Sequence, residues 1–293
     1  MTPLGPLIGV DSFAYHRWFG ERSEWEDPRS ERWDAHDFLR RANEHGADGV
    51  SLQTVHLTSA MVDAAAADAS ARRLDLVLAW GHRSGLEGGT NPTRLAEALR
   101  WLELATAAGC RLLRIVCGDQ TWWPAPVEER LDRLVPQVAA IATRAASLGI
   151  DIAIENHADL TIADLVRLTE RVECDNVGIC FDLGNAVRVG DDVLEAAGRA
   201  SALVRMVHVK DIRLQPDSIG DPAAWWPTTP LGHGDLPFAE ALQATLASPH
   251  RPRWYVEMAA MHPDHPDEDV AVGESLGVLR SLTGTRRLFE ISP

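Results

Sequence analysis

Short apolar runs recur along the chain, and longer stretches rich in Ala, Leu, Arg and Glu separate them. The runs are Leu7–Asp11, Gly49–Gln53, Leu74–Trp80, Leu112–Cys117, Asp151–Glu155, Val177–Asp182, Val204–Lys210 and Trp254–Met258. Several are apolar at nearly every position (LLRIVC, VGICF, VRMVHV), as expected of parallel strands buried on both faces. The intervening stretches read as helices. Asn91-Pro92-Thr93 is a helix start with Pro in the first turn, and Gly109 is the matching stop. Between Val127 and Gly149, Leu131, Leu134, Val135, Val138, Ile141, Ala142 and Ala145 recur at helical spacing. Pro136 inside that stretch predicts a kink or a break into two shorter helices.

Eight strands alternating with roughly eight helices predict an α/β protein with an all-parallel sheet. A doubly wound open sheet would usually carry a glycine-rich turn after its first strand. Here Asp11-Ser12-Phe13-Ala14-Tyr15 follows instead. Eight units in 293 residues match a closed (β/α)8 TIM barrel. No linker, low-complexity tract or composition shift divides the chain, so residues 1–293 are read as a single domain.

In such a barrel the chemistry sits at the C-terminal ends of the strands. Strand five ends Ile154-Glu155-Asn156-His157 and strand six ends Phe181-Asp182-Leu183-Gly184-Asn185. Strand seven contains Val207-His208-Val209-Lys210-Asp211, and strand eight ends Val256-Glu257-Met258. Four consecutive strands thus deliver a carboxylate, a carboxylate, an imidazole and a carboxylate at matching depth. One such residue alone is more often a cap or a salt-bridge partner. Three buried carboxylates converging with a histidine, however, would repel one another and lose hydration without a cation. Three oxygens and one nitrogen suit a single divalent ion, with Mn²⁺ placed first and Mg²⁺, Co²⁺ or Zn²⁺ as alternatives. By strand alternation His157 and Lys210 face the same cavity as Glu155 and His208. His82, after strand three, is expected at its mouth as a hydroxyl partner.

Composition narrows the partners. The formal net charge is −15 and no basic run occurs, which argues against nucleic acid. The cysteines Cys110, Cys117, Cys174 and Cys180 form no C-x-x-C pair. Neither a signal peptide nor an apolar run of membrane-spanning length is visible. A reduced, cytoplasmic location away from membranes is the expectation.

The set IENH, FDLGN, VHVKD and VEM, with Pro230-Leu231-Gly232-His233-Gly234-Asp235-Leu236-Pro237-Phe238, resembles the xylose isomerase-like TIM barrels. That superfamily holds sugar and sugar-phosphate isomerases and epimerases, inosose dehydratases and isomerases, dehydroshikimate dehydratases and endonuclease IV enzymes. The resemblance implies Glu155, Asp182, His208 and Glu257 as metal ligands, with Glu155 and Glu257 also exchanging the substrate proton as in ketose epimerases. In the dehydratase branch a histidine placed like His157 resembles a proton-transfer group. Family epimerases place an Arg near Arg213, which marks it as a substrate contact, and carry a histidine where this chain has Asn185. Gln53 and His233 stand where many relatives have Glu. The resemblance also makes a homo-oligomer or a small partner subunit an expectation.

Trp is abundant, with 10 residues against 2 Tyr and 6 Phe. Trp18, Trp25, Trp80, Trp122, Trp123, Trp225 and Trp226 fall at or after strand ends, so an indole-walled site for a sugar ring is expected, with Trp122 and Trp225 touching substrate. The segment Asp211–Phe238 far exceeds the usual ~2–6 residues of such a connection and reads as a lid. The leading reading is a metal-dependent isomerase or epimerase that moves a proton next to a carbonyl in a sugar, ketose or cyclitol. The alternative is a metal-dependent lyase or dehydratase eliminating from a keto-sugar, cyclitol or keto-glycoside. A second alternative is a non-catalytic barrel that binds sugar and metal.

Overall fold

The computed structural model describes residues 5–22, 26–224 and 226–284. Eight parallel strands close a barrel: β1 (Leu7–Asp11), β2 (Gly49–Gln53), β3 (Asp75–Trp80), β4 (Leu112–Val116), β5 (Asp151–Glu155), β6 (Val177–Asp182), β7 (Val204–Val209) and β10 (Arg253–Val256). Between the last two, β8 (Asp211–Ile212) and β9 (Thr228–Thr229) form a separate antiparallel ribbon. The predicted strands are all present, with ends shifted by one or two residues. Helices α1 (His16–Phe19), α2 (Ala35–Glu44), α3 (Val62–Ala71), α4 (Pro92–Ala107), α5 (Val127–Leu148) and α6 (Ile162–Val172) accompany the first five strands. The chain continues with α7 (Leu183–Arg188), α8 (Val193–Ala200), α9 (Phe238–Thr245) and α10 (Glu268–Thr283). Among the described residues no helix is long and apolar enough to cross a membrane.

Local chemistry accounts for the element ends. Asn91 caps α4 through its side chain, which accepts from the Thr93 amide at 3.1 Å, and Gly109 leaves the helix at φ +73°. The predicted break at Pro136 does not occur, and α5 runs unbroken through it. Pro136 lies on the solvent side of the helix, where water can serve the backbone carbonyl that loses its partner.

Two apolar layers follow from strand alternation. One, the larger, lies between the strands and the surrounding helices. The other fills the barrel interior with Val77, Leu112, Ala153, Cys180, Met206 and Tyr255. Tyr255 is the plug at the N-terminal end, with its hydroxyl donating to Asp75 Oδ2 at 3.0 Å. Gly9 and Gly49 make room for it, since a Cβ on Gly9 would stand 2.7 Å from the Tyr255 ring and one on Gly49 would overlap the hydroxyl. Two residues further along each strand, the same inward parity presents Asp11, Arg114, Glu155, Asp182, His208 and Glu257 above the apolar plug.

The long segment after β7 is organised by one carboxylate. Asp211 accepts from the amides of Gly232 and Gly234 at 2.9 Å, Leu236 at 3.1 Å and Ile212 at 3.0 Å. The Gly-His-Gly turn therefore wraps a buried acid, and a side chain at Gly234 would overlap the Asp211 carboxylate.

Gly49→Ala should destabilise the barrel by about 1–3 kcal/mol through overpacking against Tyr255. The fall in thermal midpoint, measured beside wild type, checks this; an unchanged midpoint would show that the plug can yield.

Candidate metal centre and catalytic cavity

Adjacent strands bring the four predicted ligands together. Asp182 lies directly beside His208 in the β6–β7 register, and His208 lies beside Tyr255, two residues before Glu257. Glu155, Asp182, His208 and Glu257 are all buried, and each offers a ligand atom within 4.8 Å of the others. His208 Nδ1 stands 3.4 Å from Glu257 Oε1, 3.5 Å from Glu155 Oε1 and 3.7 Å from Asp182 Oδ2. These are long for hydrogen bonds. Two ligands each ~2.1 Å from a shared ion stand roughly 3–3.5 Å apart, so the spacing fits donors grouped around a cation. His208 Nδ1 is moreover buried with no hydrogen-bond partner. The four residues thus form a group able to hold a metal ion.

Two residues that strand-end reasoning passed over complete the centre. Asp11, closing β1, places Oδ2 3.5 Å from His208 Nε2, while its Oδ1 accepts from Gln53 Nε2 at 3.1 Å and from the Phe13 amide at 2.7 Å. The contact is longer than a hydrogen bond, but Asp11 stands on the side of the imidazole away from the other carboxylates, where a carboxylate can orient a histidine from behind. Arg114, on β4, sets Nε 3.0 Å from Glu155 Oε2 and is itself buried. A guanidinium inside an apolar strand is costly without a partner, so the Arg in LLRIVC was a signal available in the sequence.

Lys210 Nζ lies 2.8 Å from Asp182 Oδ2 and also contacts Glu257 Oε2. Its stem crosses Gly184, where a Cβ would come within 2.7 Å of Lys210 Cδ, which explains glycine in FDLGN. The side chain of Asn156 pairs with the Asp182 backbone at 2.8 and 2.7 Å and so fixes β5 against β6 at ligand level.

Electrostatics separates the two outer glutamates. Burial alone would raise every carboxyl here. At Glu155 the Arg114 and His208 charges outweigh burial and hold it at about 2. At Asp182 Lys210 and His208 do the same, and at Asp11 His208 and Arg114 do, so both lie well below the usual carboxylate range. At Glu257 burial prevails over His208 and Lys210, helped by Asp182 and Glu155, and pushes it up to about 7. Burial disfavours a charged His208, yet Cys180, Glu257, Glu155 and Asp11 drive it well above the ordinary imidazole range. The centre attracts positive charge, which a divalent ion would supply in place of that proton.

Above the centre opens a cavity of about 710 Å³. His82, His157, Asn185 and Lys210 line it, as do Glu155 and Glu257, whereas Asp182 and His208 are fully buried beneath. His157 Nδ1 is 3.2 Å from the Gly118 carbonyl. The carbonyl only accepts, so Nδ1 carries the proton and Nε2 keeps a lone pair; burial lowers the imidazole's pKa and favours this neutral form. Asn185 Nδ2 is 3.4 Å from Glu155 Oε1. At the mouth Glu21 Oε2 is 2.8 Å from His82 Nε2 and its Oε1 is 3.4 Å from His56 Nε2. That clamp ties the segment after α1 across the ends of β2 and β3, a role that sequence reasoning missed because Glu21 lies outside any strand.

Other predicted contacts lie elsewhere. Arg213 is exposed and pairs with Asp235 at 3.1 Å, away from the cavity wall. Trp122 packs on Gly88 and Gly118 and does not line the cavity. Trp225 and Trp25 lie outside the described residues. Trp80 is buried under Arg94, and Trp18 stacks on Trp33. Among the described residues no indole lines the cavity, whose aromatic carbocycle is Phe13. The indole-walled expectation is corrected for the described residues: Trp18, Trp80 and Trp122 pack on neighbouring side chains and glycines, where their bulk fills gaps.

A profile of the xylose isomerase-like TIM barrel matches residues 39–282. The chain belongs to that family. Within it, an inosose dehydratase from Geobacillus kaustophilus (strain HTA426) is 30% identical over 141 residues, covering 41% of this chain and 46% of that protein. The chain spans between 30% and 46% of the length of the curated relatives it matches. By fold it is similar to the 3-keto-D-glucoside 4-epimerase of E. coli, at 17% identity, 94% and 99% coverage and a TM-score of 0.68. It is also similar to the IOLI protein solved with a zinc atom, at 17% identity, 95% and 98% coverage and a TM-score of 0.71.

Asp11→Asn should lower divalent-metal affinity by about 10- to 100-fold with the fold intact. Metal titration followed by calorimetry or thermal shift checks this; unaltered affinity would remove Asp11 from the support of His208.

Proposed function

We propose that the protein is a metal-dependent isomerase or epimerase that transfers a proton next to a carbonyl in a sugar, ketose or cyclitol. One observation carries this reading: of the four ligand residues, only Glu155 and Glu257 reach the cavity wall. They are the outer two, with β6 and β7 between their strands. A substrate seated there has a carboxylate on either side. A bound divalent ion, Mn²⁺ first and Mg²⁺, Co²⁺ or Zn²⁺ as alternatives, would supply Lewis-acid stabilisation of negative charge on the substrate oxygens.

Glu257, on the cavity wall beside Lys210, takes the α-proton. Glu155, held in place by Arg114, faces the opposite side; in an epimerisation it relays there a proton taken up from solvent, and Glu257 releases the abstracted proton to solvent. Lys210, close to both Asp182 and Glu257, steadies the second glutamate and presents an ammonium to developing oxyanion charge. Asn185 fixes Glu155 from the cavity side. Asp182 and His208 do not meet the cavity and serve the ion alone.

A second reading, elimination of water or an alcohol from the same kind of substrate, is favoured by His157. Its free Nε2 gives the wall a third proton acceptor, and the inosose dehydratase match points the same way. The two differ in outcome, since elimination changes the substrate's composition and proton return does not.

Metal-loaded protein incubated in D₂O with ketoses, inososes and keto-glycosides should place deuterium α to the carbonyl of one of these classes, read by NMR. Product lighter by one water would establish elimination. Glu257→Gln should lower either reaction by at least about 10²–10⁴-fold; a fully active variant would take Glu257 out of the mechanism.

A further inference from the structure

Most charges lining the cavity are paired; the exceptions besides Arg188 are the exposed Arg22, which donates to the Glu26 carbonyl, and the half-buried Asp119, which accepts from the Thr121 amide. Glu155 faces Arg114, Glu257 contacts Lys210, and Glu21 faces His82 and His56. Arg83, on the rim, approaches Glu21 at 3.9 Å with a side chain 74% exposed. Arg188 differs. It ends α7, lines the cavity and is largely enclosed, yet no carboxylate lies within ion-pair distance of it among the described residues. Nη1 donates to Asn185 Oδ1 at 3.1 Å and Nη2 donates to the Pro222 carbonyl. Both acceptors are neutral. Nε is buried without any partner. Burial lowers its pKa, and Asp182, Asp221 and Asp119 act against that through space without an ion pair. A guanidinium stays charged in a protein, and an enclosed one is normally matched by an anion.

Resting on the metal-centred reading above, we propose that Arg188 is the anion-reading residue of the substrate site, so that the substrate is an acidic sugar or cyclitol bearing a carboxylate or a phosphate. The placement supplies the register. Asn185 touches Arg188 with its oxygen and Glu155 with its nitrogen, so Arg188 stands one side chain away from the metal ligands. An anionic group in the cavity would balance the guanidinium's charge and meet the remaining Nη hydrogens, to which forked carboxylate or phosphate oxygens are suited. Asn185, at the position where family epimerases carry a histidine, then links recognition of the anion to the placement of Glu155.

The test uses binding, so it does not depend on finding the turned-over substrate. Metal-loaded wild type, Arg188→Ala and Arg188→Lys are titrated calorimetrically, at fixed ionic strength, with glucose, glucuronate and glucose 6-phosphate. Metal content and thermal midpoint are recorded for each to confirm that the variants are folded and loaded. Wild type is expected to bind one of the acidic probes roughly ten- to a hundredfold more tightly than glucose. Arg188→Ala should abolish that preference, and Arg188→Lys should keep part of it. Preference for glucuronate alone assigns a carboxylate, and preference for glucose 6-phosphate alone assigns a phosphate. No acid preference in wild type, or one that survives in Arg188→Ala, overturns the proposal. Failure of the metal reading shows separately: protein that takes up no ion but keeps an Arg188-dependent acid preference retains the anion subsite and loses the mechanism.

Discussion

Four carboxylates, Asp11, Glu155, Asp182 and Glu257, are buried around His208 at the C-terminal end of the barrel. Two permanent cations, Arg114 and Lys210, meet them there. Two negative charges remain, which matches one divalent ion with His208 neutral. The alternative is a proton on His208, and the surrounding carboxylates draw one strongly. Isolated charge in a low-dielectric interior costs far more than any single packing contact contributes. The other features of the site are arranged around that constraint.

The barrel meets the constraint by alternation. On each strand one inward position belongs to the apolar plug and the next, two residues on, belongs to the charged centre: Ala153 then Glu155, Cys180 then Asp182, Met206 then His208, Tyr255 then Glu257. Small residues at Gly9 and Gly49 admit Tyr255 as the plug, and Gly184 admits the stem of Lys210. The fold thereby separates the four candidate ligands into two pairs. Asp182 and His208 lie sealed below, while Glu155 and Glu257 meet the cavity. Outside the barrel, Asp211 gathers the amides of the Gly-His-Gly turn and keeps the longest loop in place.

The strands were legible because a parallel strand covered on both faces must be apolar throughout, and that pattern has few competitors. The four candidate ligands were legible as a group because carboxylates and a histidine at the same depth of neighbouring strands break that pattern together. Asp11 and Arg114 break it as well, but singly. Each stands on a strand that carries none of the four candidate ligands, so neither joined the group. The tryptophans misled for a related reason: position after a strand does not fix which way an indole turns, and Trp80 and Trp122 turn toward the packing beneath the loops. Arg188 is invisible to sequence reasoning, since its significance lies in the acid it lacks. Pro136 shows the converse, a breaker whose cost is small because its helix face is solvated.

The buried negative charge calls for one divalent ion. Elemental analysis of the purified protein after exposure to Mn²⁺, Co²⁺, Zn²⁺ or Mg²⁺, beside Glu155→Ala handled identically, tests it most directly. One ion per wild-type chain, accompanied by a raised thermal midpoint and absent from the variant, is the predicted result. A wild-type protein that binds no ion and gains no stability from any of them would contradict it, and would mean that the carboxylates are balanced by protons and by Arg114 and Lys210 alone.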